Sequence, residues 1–323
     1  MKLNSKLYLN TNQEALPTRN GYGDALVELG KSNKDIYVLC ADLSESTRVD
    51  TFAKLFPNQF VEMGVAEQNL VTVASGLAHA GKIPFASSYA AFCPGRCWEQ
   101  IRTTICYNNQ NVKLIGAHAG ISVGPDGATH QMLEDVAIMR ALPNMVVIVP
   151  CDYQQTKAAT NAVARYKGPT YIRFAREKTP QITTSRTPFK IGQAQVWCDG
   201  SDLTIIGCGP LVTEALRAAE ILAAKRISVA VINCHTIKPL DTGLIEKYAK
   251  KTKLIITVEE GQIIGGLGSA VAEHLSSTIP TSIYRMGIND HFGESGEPIE
   301  LLTKFHLTAE DIVSKGQKLF KTK

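Results

Sequence analysis

Short apolar runs alternate with helix-length stretches along almost the whole chain, and this alternation constrains the fold more than any motif does. Asp35–Ala41, Lys82–Ala86, Val112–Ala117, Met145–Val149 and Thr170–Phe174 read as buried strands, with a shorter one at Phe60–Met63. Gly21–Lys31, Glu67–Ala80, Cys97–Tyr107, Met132–Ala141 and Gln154–Ala164 read as the helices between them. Elements in that order predict a mainly parallel sheet with helices on both faces. The pattern breaks at residues 177–190, EKTPQITTSRTPFK, which are polar, carry two prolines and read as a linker. A smaller α/β unit follows, with strands at 203–207, 228–233, 254–259 and 282–286 and helices at 212–225, 241–250 and 266–276. Residues 1–16 are polar and read as an N-terminal arm, leaving domains at 17–176 and 191–323. Two domains suit a chain of 323 residues.

Composition removes several classes of function. The 34 Lys and Arg against 30 Asp and Glu give a net charge of +4 with no long basic run, which argues against a nucleic-acid partner. No apolar run approaches the roughly 20 residues of a membrane helix. The first residues, MKLNSKLYLN, show no apolar core of a secretory signal. Eight cysteines are scattered through apolar stretches with no CxxC pair, which fits reduced thiols in a cytoplasmic protein.

Ligands of open parallel sheets bind at the carboxyl ends of strands. Three such ends carry distinctive groups: Asp42-Leu-Ser-Glu-Ser46, Gly64-Val-Ala-Glu67-Gln-Asn, and the Gly-rich run from His118 to His130 that includes Asp126. Glu67 opens a helix, so it is either a carboxylate favoured by the helix dipole or one held for proton exchange with a ligand ring nitrogen. His118 and His130 bracket a glycine-rich loop, where they suit phosphate or sugar hydroxyls better than a metal, since no third ligand has the spacing. Arg19, Arg96, Arg173 and Arg176 are further anion candidates, and Tyr89 and Phe92 are either core or a stacking platform. Gly261-Gln-Ile-Ile-Gly-Gly-Leu-Gly268 superficially suggests a dinucleotide loop, but Val271 stands where GxGxxG needs its third glycine.

Taken in order, TRNGYGDALVEL, CADLSEST, FVEMGVAEQN, PFASSYAAF, GAHAGISVGPDGATHQMLEDVAIMRALPNM, YIRFAR, VEEGQIIGGLGSAVAE and MGINDHFGESGEP resemble the C-terminal half of transketolase. The resemblance covers about residues 17 to 300, and GVAEQN with DGATHQ makes it specific. It implies a thiamine diphosphate enzyme: a pyrimidine-binding domain followed by the smaller transketolase C-terminal domain. The diphosphate-binding domain, with its GDG signature, has no counterpart here. Gly23-Asp24-Ala25 and Cys198-Asp199-Gly200 are the nearest fragments and neither fits. The resemblance therefore implies a split enzyme. A separate N-terminal subunit would hold the diphosphate and Mg²⁺ or Ca²⁺, in an α₂β₂ heterotetramer paired through the pyrimidine-binding domains.

By the same resemblance, Glu67 hydrogen-bonds a pyrimidine ring nitrogen, and Phe92 stacks on the ring with Tyr89 beside it. Asp126 and His130 contact sugar hydroxyls, with His130 also catalytic. Arg19, Ser46, His118 and Arg176 grip the substrate phosphate. Gly95, in CPGRC, falls near a position where the family carries a further aromatic, which implies a roomier pocket or one filled by the partner. The activity implied is transfer of a two-carbon ketol unit from a ketose phosphate to an aldose phosphate. Deoxyxylulose-phosphate synthase is a competing relative, but would carry THHG at Thr129-His130-Gln131-Met132. The β subunit of 2-oxo-acid dehydrogenases lacks DGATHQ. A non-catalytic transketolase-like binding subunit is the third reading, and an intact Glu67, Asp126 and His130 argues against it.

Overall fold

The computed structural model describes residues 3–7, 9–10 and 14–321. Part of the expected N-terminal arm, residues 1, 2, 8 and 11–13, lies outside the described residues. The first unit runs β1 (Ala15–Pro17), α1 (Thr18–Ser32), β2 (Ile36–Cys40), α2 (Asp50–Leu55), β3 (Phe60–Glu62), α3 (Glu67–His79) and β4 (Ile83–Tyr89). It continues with α4 (Trp98–Gln100), which widens into π-helical turns over Ile101–Tyr107, then β5 (Lys113–Ala117), α5 (Asp135–Arg140), β6 (Val146–Ile148), α6 (Tyr153–Arg165), β7 (Thr170–Arg173) and β8 (Lys178–Pro180). The second unit holds β9 (Gln195–Cys198), β10 (Leu203–Gly207), α7 (Val212–Ala224), β11 (Val229–Asn233), β12 (Thr236–Lys238) and α8 (Thr242–Thr252). It ends with β13 (Leu254–Gln262), α9 (Leu267–Thr278), β14 (Ser282–Ile288), α10 (Pro298–Lys304) and α11 (Ala309–Lys321).

The apolar runs become the central strands because a parallel sheet covered on both faces must be apolar throughout. Its order is β12-β6-β7-β5-β4-β2-β3, parallel except for β12, with Val38 opposite Phe85 and Gly116 opposite Arg173. The second sheet runs β14-β13-β10-β11-β9, with only β9 antiparallel. Lys113 is the charged exception in a core strand. Its ammonium donates to Asn111 Oδ1, Tyr166 O and Gly168 O, and burial lowers its pKa to about 7.

Strand pairing ties the second unit, and the connecting chain, to the first. Strand β12 belongs in sequence to the second unit, yet it pairs with β6 of the first sheet. Strand β8, inside the segment that reads as a linker, pairs with β1. Asp152 accepts from Gln155 N at the start of α6, and from Ile182 N, Thr183 N and Thr183 Oγ1. One carboxylate thus caps a helix and pins the connecting chain. The helix expected over Met132–Ala141 is confined to Asp135–Arg140, because Met132 is drawn out to bridge Ala119 and bond Gly120 N, and Leu133 O accepts from Gln262 N of the second unit.

Candidate active site

The candidate residues gather along the carboxyl edge of the first sheet. Arg176 follows β7, His118 follows β5, Tyr89 ends β4 with Phe92 just beyond, Ser46 lies past β2, and Glu67 lies past β3 at the first position of α3. Arg19 enters from the start of α1. Four strand spacings separate β7 from β3, so the row is on the order of 20 Å long.

At one end, Glu67 is 2% exposed and its Oε2 accepts from Arg96 Nη1 at 2.7 Å. The same guanidinium lies 4.9 Å from the centre of the Phe92 ring. Arg96, a generic anion candidate in the sequence, is therefore the counter-charge of Glu67. Nothing in the sequence indicates a pairing across 29 positions. Gly95 is explained by the turn itself. A Cβ there would sit 2.1 Å from Ala91 O, so the glycine permits a close backbone approach.

In the middle, the rings of Tyr89, Phe92, His118 and His130 form one cluster. Tyr89 lies 4.0 Å from His118 and 6.1 Å from Phe92, and Phe92 meets His130 edge-on at 5.4 Å. His130 Nδ1 bonds the Thr129 hydroxyl at 2.9 Å.

At the other end, Arg19 Nη1 donates to Ser46 O at 3.1 Å and to His118 Nε2 at 3.2 Å. Arginine can only donate, so Nε2 accepts and the ring proton resides on Nδ1. Burial, then the Arg19, Arg176 and His130 charges, lower the His118 pKa to about 3. The ring is neutral across the physiological range. Arg176 Nη1 donates to Val123 O and lies 4.0 Å from Asp126 Oδ1. Burial, Arg48 and Arg176 lower the pKa of Arg19, the expected signature of cations crowded together. Such a cluster is built to receive an anion.

Arg173 does not join it. Its guanidinium is buried between the units, 3.0 Å from Asp135 Oδ2, and so is not an anion-binding group of this site. Sequence reasoning also missed Glu62, whose carboxylate accepts from Asp42 N, Ser44 Oγ and Gly64 N and so joins two strand ends. Among the described residues, no group of three or more His, Cys, Asp or Glu is arranged to hold a metal ion. Among the described residues, no helix is long and apolar enough to cross a membrane.

A buried carboxylate, a ring platform and a cation cluster in one row at the carboxyl edge of a parallel sheet, with a second α/β unit locked to it, define a two-domain α/β protein with a candidate ligand site at the sheet edge. The transketolase pyrimidine-binding domain family matches residues 14–181, and the transketolase C-terminal domain family matches residues 192–312. The chain belongs to the transketolase family. It is 50% identical over 301 residues to a protein of Methanocaldococcus jannaschii named for the C-terminal section of transketolase, covering 92% of this chain and 94% of that one. It is 40% identical over 305 residues to the 6-deoxy-6-sulfo-D-fructose transketolase subunit SqwH of Clostridium sp. MSTE9, covering 94% and 95%. A solved split-gene transketolase, an inactive β4 tetramer, superimposes with a TM-score of 0.89 at 47% identity over 95% of this chain and 99% of that one. The family depends on thiamine diphosphate, and these relatives are transketolase subunits or sections.

Proposed function

We propose that this chain is the C-terminal subunit of a split transketolase, which moves a two-carbon ketol unit from a ketose phosphate to an aldose phosphate. One observation carries the reading: a buried carboxylate and a cation cluster stand at opposite ends of one row of rings. A cofactor ring at one end and a sugar ending in phosphate at the other need that layout.

The residues present fit the pyrimidine half of thiamine diphosphate. Glu67 offers a carboxylate to a ring nitrogen, with its charge balanced by Arg96, and Phe92 and Tyr89 offer faces for stacking. The cofactor, when bound, supplies a carbon nucleophile and an electron sink. Glu67 holds a proton at the pyrimidine nitrogen. Asp126 and His130 orient the sugar hydroxyls, and His130, engaged at Nδ1 by Thr129, keeps Nε2 to exchange a proton with one of them. Arg19, Arg176, Ser46 and neutral His118 bind the terminal phosphate.

The diphosphate and its Mg²⁺ or Ca²⁺ belong, in this reading, to a separate N-terminal subunit, in an α₂β₂ assembly paired through the pyrimidine-binding domains at 17–176. The names of the relatives, sections and subunits of matching length, support it. A cytoplasmic enzyme of pentose phosphate metabolism fits eight free, buried cysteines.

Arg176→Ala tests the phosphate assignment in the assembled enzyme. Loss of a charge-assisted contact costs about 1.5–3 kcal/mol, so KM for phosphorylated donors should rise about 10- to 100-fold. KM for an unphosphorylated ketose should change less than about twofold. Equal effects on both would remove the assignment.

A further inference from the structure

The loop from Gly120 to Gln131 carries the sugar-contacting residues of the proposed site, Asp126 and His130, and Arg176 rests on its Val123 carbonyl. Three glycines and a proline between His118 and His130 suggest a flexible run. The structure instead fixes it, and the fixing groups come from the C-terminal domain. Ser122 Oγ donates to Glu260 Oε2 at 2.6 Å. Gln131 Nε2 donates to Ile121 O and Gly124 O within the loop, and across the domain boundary to Glu294 O at 2.9 Å. Gln262 N, two residues past Glu260, donates to Leu133 O at 2.8 Å.

Glu260 is the most demanding of these contacts. It is 2% exposed on the last turns of β13, and only one of its oxygens has a hydrogen-bond partner among the described residues. A buried carboxylate is costly unless it is paired and hydrogen-bonded. The positive charge acting on it is that of Arg173, whose own ion pair is with Asp135. Gly120 runs close against both Glu260 and Arg173 with φ of +92°. A Cβ at Gly120 would lie 2.4 Å from Glu260 Oε2 and 2.8 Å from Arg173 Nη2. The backbone of the loop is thus packed closely against a buried acid of one domain and a buried base of the other. A hydrophobic contact would hold two domains together at less cost. A buried carboxylate with one hydrogen-bond donor, in contrast, fixes where that donor must lie.

We propose that Glu260 is a positioning residue for the sugar. Through Ser122 it sets the loop that presents Asp126 and His130, which gives the C-terminal domain a part in substrate binding. This rests on the functional reading above. Glu260 touches neither cofactor nor substrate; it acts through Ser122.

The test combines hydrogen exchange on the chain alone with kinetics of the assembled enzyme. Ser122→Ala removes one hydroxyl and keeps the buried volume nearly intact, so it is the variant most certain to fold. Amides of residues 120–131 should exchange about tenfold faster in it, while those of the β4 and β5 core do not change. KM for the sugar phosphates should rise about tenfold, with kcat at saturation and thiamine diphosphate affinity within twofold. Glu260→Ala removes the same contact together with the charge beside Arg173, so it should loosen the loop at least as much, and adding Ser122→Ala to it should bring no further loss. Glu260→Gln, which still accepts from the hydroxyl, should recover most of the loss. Unchanged exchange in Ser122→Ala would overturn the proposal, and so would a loosened loop with unchanged KM. If the functional reading itself were wrong, Arg176→Ala would fail to discriminate phosphorylated donors, while the exchange response to Ser122→Ala would persist.

Discussion

Glu67 and Glu259 are two glutamates with the same 2% exposure, each beside the start of a helix, and they do opposite things. Glu259 turns its carboxylate onto the first amides of α9, accepting from Leu267 N at 2.8 Å and Gly268 N at 2.9 Å. It fills the anion position that a helix N-terminus offers. The Gly261–Gly268 loop, which looks superficially like a dinucleotide loop, is thus capped by the protein's own acid. Glu67 leads α3 but caps nothing, and its partner Arg96 is half-exposed. Burial alone therefore does not mark a functional acid. What separates the two is whether the lone pairs are spent on the chain's own backbone or on a group that a ligand can join.

Parallel glutamine variants would break or sharpen this contrast. Glu67→Gln has the larger expected effect. It should lower kcat of the assembled enzyme by about 10²- to 10⁴-fold, the usual range for a proton-transfer group, while changing stability by less than about 1 kcal/mol. Steady-state kinetics beside chemical denaturation would check both halves. Near-normal turnover would remove Glu67 from the chemistry.

Glu259→Gln should do the reverse, with kcat within about twofold and a changed pH dependence of stability. Burial raises the Glu259 pKa to about 7, against the opposing pull of the Gly268 and Leu267 amides. A raised folded-state value means that Glu259's contribution is complete below about pH 4.5 and is lost as pH rises through about 7. The parent should therefore lose about 3 kcal/mol relative to the variant between pH 4.5 and 7. Denaturation series at those two pH values read the difference directly. A constant offset between the two proteins would mean that Glu259 is ionised throughout.

The sequence made the sheet of the first domain legible because each central strand is a short apolar run, such as Ile36–Cys40 or Lys113–Ala117, bounded by polar turns. It also pointed to the residues that line the sheet edge, since Glu67, His118 and Arg176 each fall within five residues of a strand's end. Three kinds of feature were not legible. Strand β12 has three residues and pairs Thr236 with Ile148, so only distant contact creates it. Helices α10 and α11 lie beyond a turn-rich run, NDHFGESGEP, and went unread although Ala309, Ile312, Val313 and Gly316 of α11 recur at helical spacing. The partners of Arg96 and Arg173 depend on which strands become neighbours. In isolation both arginines look alike; one balances Glu67 at the open edge, and the other is sealed with Asp135 between domains.

The account's central claim is that this chain supplies the pyrimidine half of a site that another chain completes. Native mass spectrometry of the tagged chain, purified from its own host with thiamine diphosphate and Mg²⁺ present, tests it most directly. The account predicts a complex of this chain with a second, different chain, carrying the mass of the cofactor. A cofactor-free assembly of this chain alone, under conditions that preserve weak complexes, would contradict it.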